Sequence, residues 1–108
     1  MTEKPNIKMI RQMSGGDTSF EEKMIEIIKR ELPKEIYLYH EHLKNADYLN
    51  AAKDVHKLKH KISILGLEKS YKLAVDYEDE LKKHKFLRSN SFEDILKSMT
   101  DYINTLKL

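Results

Sequence analysis

An all-α fold follows from three observations. Apolar residues recur every three or four positions along most of the chain, alternating strand patterns are missing, and only three glycines and two prolines interrupt 108 residues. Long helices with short connections pack most simply as an antiparallel up-down-up-down four-helix bundle, with an additional short N-terminal helix laid across one end. The expectation is a single domain over residues 1–108, which at this length buries roughly 60 to 70% of its unfolded surface in one core.

The elements follow in order. Ile7, Met9, Ile10 and Met13 mark a short first helix, ended by Ser14-Gly15-Gly16-Asp17. Thr18 with Glu21 three residues on has the form of a capping box, in which hydroxyl and carboxylate satisfy the opening amides of a helix. Phe20, Met24, Ile28, Leu32, Ile36, Tyr39 and Leu43 then form one stripe across Pro33. A proline inside a helix removes a hydrogen bond, but the unbroken phase predicts a kink at Leu32 in place of a split. Asn45-Ala46-Asp47 reads as turn and cap. Ala51, Val55, Leu58, Ile62 and Leu65 form the next stripe, and Gly66 is its natural stop. Ser70, Leu73, Ala74, Tyr77 and Leu81 mark a fourth helix. Arg88-Ser89-Asn90-Ser91 reads as a polar loop with a cap, after which Phe92, Ile95, Leu96, Met99, Tyr102, Ile103 and Leu106 complete the last helix.

Composition excludes several function classes. Charged residues make up 35% of the chain, yet 20 basic against 18 acidic side chains leave only +2, and the signs are interleaved. A compact basic block that could track a phosphate backbone is missing, so nucleic acid is not an expected partner. Lys57, Lys59 and Lys61 are expected to form a local positive patch around His56. With no cysteine there is no disulfide framework, thiolate metal site or thiol nucleophile, which suits a reducing compartment. The longest apolar runs, such as Ile36 to Tyr39, fall far below the ~18 residues that span a bilayer, and residues 1–8 lack the apolar stretch of a signal peptide. A soluble cytoplasmic monomer with no membrane partner is expected.

Residues 56 to 66 are the segment that suggests chemistry as well as packing. On a helix His56, Lys59, His60 and Ser63 share a face, presenting two imidazoles, an ammonium and a hydroxyl together. At about 100° per residue, the stripe through Val55 and Leu58 fixes the inward direction. Ala52, Lys59 and Ser63 then lie on its shoulder, His56 slightly farther out and half exposed, and His60 farther still. Small neighbours such as Ala52 and Ser63 would leave His56 accessible. A free imidazole titrates near about 6.5, so a neutral nucleophile toward phosphorus is available near neutral pH. Lys59, one turn on, can fold its stem back to offset charge on transferred phosphoryl oxygens. Taken alone, each of these groups is more often a solvated flank of a lysine-rich helix.

Val55-His56-Lys57-Leu58-Lys59 followed by Leu65-Gly66 resembles the motif of histidine phosphotransfer domains, where the phosphorylated histidine begins a His-x-Leu-Lys-Gly run and a further glycine stands ten residues after it. The resemblance extends through Ser14-Gly15-Gly16-Asp17, Pro33, Asn45-Ala46-Asp47 and Tyr77-Glu78, covering roughly residues 6 to 105. It implies a phosphoryl carrier of multistep two-component relays. His56 would accept a phosphoryl group from the aspartyl phosphate of one receiver domain and pass it to the aspartate of another, the receivers belonging to hybrid histidine kinases and response regulators. Lys59 would support the phosphoryl charge, and Ala52, His60, Ser63 and Gly66 would lie near the site where partners dock. No cofactor is expected on this chain; any magnesium belongs to the receiver. The chain departs from the pattern at His60, where the family usually has glycine. An imidazole there either crowds the incoming receiver or donates a hydrogen bond to phosphate. Placing the phosphorylated position at His60 instead would put Ser63 and Ser70 where lysine and glycine belong.

Two other readings start from the same residues. His56 and His60 have the i, i+4 spacing of helical metal ligands, but a third ligand from His40, His42, His84 or a carboxylate would be needed. His40 and His42 diverge on their helix and read as solvated surface, and His84 reads as a group compensating the dipole at a helix end. Alternatively the bundle is a degenerate docking module that has lost phosphotransfer. A kinase is excluded, because the chain has neither a glycine-rich phosphate loop nor room for a nucleotide-binding domain.

Overall fold

The computed structural model describes residues 3–106; Met1, Thr2, Lys107 and Leu108, the ends of the expected single domain, lie outside the described residues. Among the described residues there are five helices and no strand: α1 (Lys8–Ser14), α2 (Thr18–Lys44), α3 (Tyr48–Ile64), α4 (Glu68–Lys82) and α5 (Ser89–Thr105). The helical bundle measures 43 × 27 × 20 Å. α3 is its central element and packs against both α2 and α4, α5 packs against the same two helices, and α1 lies on α2.

The core follows the stripes. Ala51, Val55, Leu58, Ile62 and Leu65 are all fully buried, as their spacing predicts. At about 1.5–3 kcal/mol per large side chain taken from water, such burial is the main source of stability. The phase of α2 differs from expectation at its start: Ile25, Ile28, Leu32 and Tyr39 are buried, whereas Phe20 is exposed. In α1 only Ile10 is fully buried, and Met9 and Met13 face outward. Tyr39, Tyr77 and Phe92 join three helices: the two hydroxyls hydrogen-bond at 2.6 Å, and the Phe92 ring lies 5.3 and 5.1 Å from the two tyrosine rings. Pairing the hydroxyls removes much of the penalty of burying them.

Helix ends follow the sequence signals only in part. Asp47 caps α3, its carboxylate accepting from the backbone N–H and the side-chain amide of Asn50. The cap of α2 is Asp17, not Thr18; its carboxylate accepts the Phe20 N–H at 3.2 Å, and the expected Thr18–Glu21 capping box is replaced by this single cap, with the Glu21 carboxylate paired to Arg11. α2 runs through Pro33 as one helix. Ser89, Asn90 and Ser91 are not a loop but the first turn of α5, which has no side-chain cap. The connection before it is held instead by Glu80, which accepts the Arg88 backbone N–H at 3.1 Å and its guanidinium. Gly66 follows α3 with φ of +77°, a backbone conformation that favours glycine, and a Cβ there would stand 2.6 Å from the Asn6 side chain, which would have to shift. Asn6 in turn donates its N–H to the Leu65 carbonyl at 2.9 Å, tying the N-terminal segment to the α3–α4 corner.

Candidate functional site

His56 projects from the middle of α3 with 55% of its side chain exposed. Its inward neighbours Val55 and Leu58 are fully buried, which fixes the rotation of the helix and leaves the imidazole at the rim. The ring opens onto a groove of ≈ 500 Å³ lined by Leu49, Lys53, Lys57, Glu78 and Lys82 as well as His56 itself.

Glu78 of α4 organises this groove. Its carboxylate stands 3.3 and 3.4 Å from Nδ1 of His56, 2.9 Å from the Lys59 ammonium and 3.6 Å from that of Lys82. Burial raises the proton affinity of Glu78, but the hydrogen bond and charge of Lys59, with His56 adding to them, outweigh that and hold its carboxyl below the usual carboxylate range. An ionised Glu78 favours the His56 tautomer with hydrogen on Nδ1. The lone pair is then on Nε2, the ring nitrogen not engaged by Glu78.

Lys59 is not a solvated lysine. Only 11% of its side chain is exposed, and its ammonium also sits 5.8 Å from the centre of the Tyr71 ring. Its ammonium is held on Glu78, the same carboxylate that meets Nδ1 of His56. Lys61 corrects the expected positive patch more strongly: it is buried and points the other way, pairing with Glu31 at 3.0 Å and Glu35 at 2.9 Å on α2. The cations that line the groove with His56 are Lys53, Lys57 and Lys82. Of these Lys57 belongs to the patch expected around His56, and Lys53, three residues before His56 on the same face, was also legible though not part of that expectation. Lys82 and the role of Glu78 depend on how α4 is set against α3, which periodicity does not report.

The remaining sequence-predicted residues separate. Ala52, expected on the shoulder beside His56, is a core residue with 1% exposure. His60 is exposed, and its ring is inclined at 62° to that of His56 with 5.4 Å between centroids. Ser63 and Gly66 line a second depression with Met9, Glu68, Tyr71 and Lys72. His42 is not solvated surface: its Nδ1 meets Asp54 at 2.5 Å, and that carboxylate is buried. His40 pairs with Glu93 of α5 at 2.9 Å. His84 lies beyond the end of α4, with φ of +57°, and its ring rests 5.1 Å from that of Tyr48.

Among the described residues no group of three or more histidine, aspartate or glutamate side chains is arranged to hold a metal ion. No helix among them is long and apolar enough to cross a membrane. Compared with known proteins, the chain matches no family model, no curated protein and no solved structure.

Proposed function

We propose that this chain is a cytoplasmic, monomeric phosphoryl carrier of the histidine phosphotransfer kind, built as an antiparallel up-down-up-down four-helix bundle with a short helix before it. Pairings between helices support the arrangement. Lys29 bonds to Leu106 while His40 bonds to Glu93, so α2 and α5 run in opposite senses; His42 with Asp54 and Glu31 with Lys61 do the same for α2 and α3. Tyr48 with His84 and Lys59 with Glu78 do it for α3 and α4.

The observation that carries the functional reading is the His56–Glu78 pair. A rim imidazole whose Nδ1 faces an ionised carboxylate has its Nε2 lone pair free for attack on phosphorus. Nε2 would attack the aspartyl phosphate of a receiver domain; the bond to the aspartate oxygen breaks, and its electron pair leaves on that carboxylate. Return of the phosphoryl group to a second receiver reverses these steps. Lys53 and Lys57 supply positive charge around the transferred group, and magnesium belongs to the receiver's acidic pocket. Incubation with a phosphorylated receiver domain or a small phosphoramidate is expected to give an acid-labile, base-stable modification that is lost in His56→Gln while the helical circular dichroism is kept. Label persisting in that variant would show that another residue is the acceptor.

A docking module without transfer is the second reading, and the closeness of the His60 ring to His56 favours it. If the second imidazole crowds an incoming receiver, His60→Gly raises the transfer rate from a phosphorylated receiver domain. A slower rate in that variant would instead give His60 a supporting part.

A further inference from the structure

We propose that Glu78 sets how readily a phosphoryl group leaves His56, by holding a proton on Nδ1 and by keeping Lys59 off the phosphoryl oxygens; this rests on the carrier reading above. When phosphohistidine is hydrolysed, the water oxygen bonds to phosphorus, the bond from phosphorus to Nε2 breaks, and its electron pair returns to the ring. The oxygen and protons of the water depart with the inorganic phosphate. If Nδ1 carries a proton the ring leaves as neutral imidazole. Without that proton it must leave as imidazolate, a far poorer leaving group.

Glu78 bears on that choice directly. Its carboxylate lies 3.3 to 3.4 Å from Nδ1, at the long end of hydrogen bonding, and is only 13% exposed, so its charge acts through little water. The protonated ring is thereby favoured and the phosphorus–nitrogen bond weakened. The second effect has the same sign. Lys59 is drawn to Glu78 at 2.9 Å and braced against Tyr71, so its ammonium neutralises Glu78 in place of the phosphoryl oxygens. Lys82, 3.6 Å from the same carboxylate, is shared in the same way, leaving Lys53 and Lys57 as the groove's cations outside that cluster. Glu78 is a positioning residue in this scheme, favouring a loaded state that passes its phosphoryl group on over one that stores it.

The test is the lifetime of the phosphohistidine. The full chain and its Glu78→Gln variant are loaded with a small phosphoramidate, the donor is removed, and loss of the phosphohistidine signal is followed by phosphorus NMR at neutral pH. Glutamine carries no charge to hold the Nδ1 proton. Loss of that charge beside Nδ1 and release of Lys59 act in the same direction, so a lifetime severalfold longer is expected. Adding Lys59→Met should shorten it again, because the freed ammonium is removed. An unchanged or shorter lifetime in Glu78→Gln overturns the inference and leaves the carrier reading standing; failure of the unaltered chain to form phosphohistidine overturns both. Should Glu78→Gln not fold, nitrogen NMR of the loaded unaltered protein decides: a protonated Nδ1 at neutral pH is expected, and a bare one overturns the inference.

Discussion

Tyr39 and Tyr77 show what single residues contribute. Each ring is fully buried, so each hydroxyl depends on the other across 2.6 Å. Burial pushes the Tyr39 phenol far above its ordinary range, with the Tyr77 hydrogen bond adding to the shift, so it stays neutral at any pH the fold survives. Tyr39→Phe strands the Tyr77 hydroxyl and is expected to cost about 1–2 kcal/mol in chemical denaturation, whereas replacing both by phenylalanine should cost less than the sum of the single changes. Additive losses would show that the hydroxyls do not support each other. The residues of the candidate site were unevenly legible. His56 at the rim could be placed from the α3 stripe alone, because rotation about one helix axis is a local quantity. That its neighbour Ala52 belongs to the core could not, because α2 and α4 flank α3 on two sides and bury a wider face than one stripe marks.

At the scale of the element, α2 carries a test of its own. Pro33 lies on an exposed face of a helix that continues past it, so the Lys29 carbonyl loses its backbone donor without any compensating burial of the ring. Pro33→Ala restores that donor and relieves the ring's contact with the preceding turn. A gain of about 1–3 kcal/mol is expected, read as a rise in thermal midpoint; an unchanged midpoint would mean that the helix has already bent to accommodate the proline. Element existence was legible throughout, since five helices stand where periodicity and breakers put them. Their ends were less so. The first turn of α5 was hidden because Ser89, Asn90 and Ser91 are also turn formers, and what holds its start is Glu80 of α4. Likewise α4 has no side-chain cap of its own; Glu3, from the far end of the chain, accepts the Ser70 N–H at 2.6 Å.

Over the whole molecule, carboxylates couple the bundle to pH. Lys59 and His56 outweigh burial at Glu78, Lys61 binds Glu31, and Asn50 binds Asp47, each leaving a carboxyl below its ordinary value of 4.5 for glutamate or 3.8 for aspartate. Acids held below their unfolded values stabilise the fold above those values and lose that contribution as pH falls through the folded ones. Thermal melts between neutral pH and about pH 3 should therefore show stability falling below the ordinary carboxylate values, and Glu78→Gln, which has one such group fewer, should fall less steeply. Equal slopes would remove Glu78 from the set. Most of the coupling is between helices, since Lys59–Glu78 and Lys61–Glu31 each join two of them.

The chain alone determined that it is helical, which face of α3 is buried, and that one imidazole stands at the edge of that face. Periodicity is a property of a single helix and survives without knowledge of its neighbours. Only the tertiary structure decided what that imidazole meets. The rotation and axial offset of α4 put Glu78 beside His56 and Lys59, while those of α2 turned Lys61 away into a pair of glutamates. Those offsets come from the packing of many side chains at once, so no local pattern of residues records them.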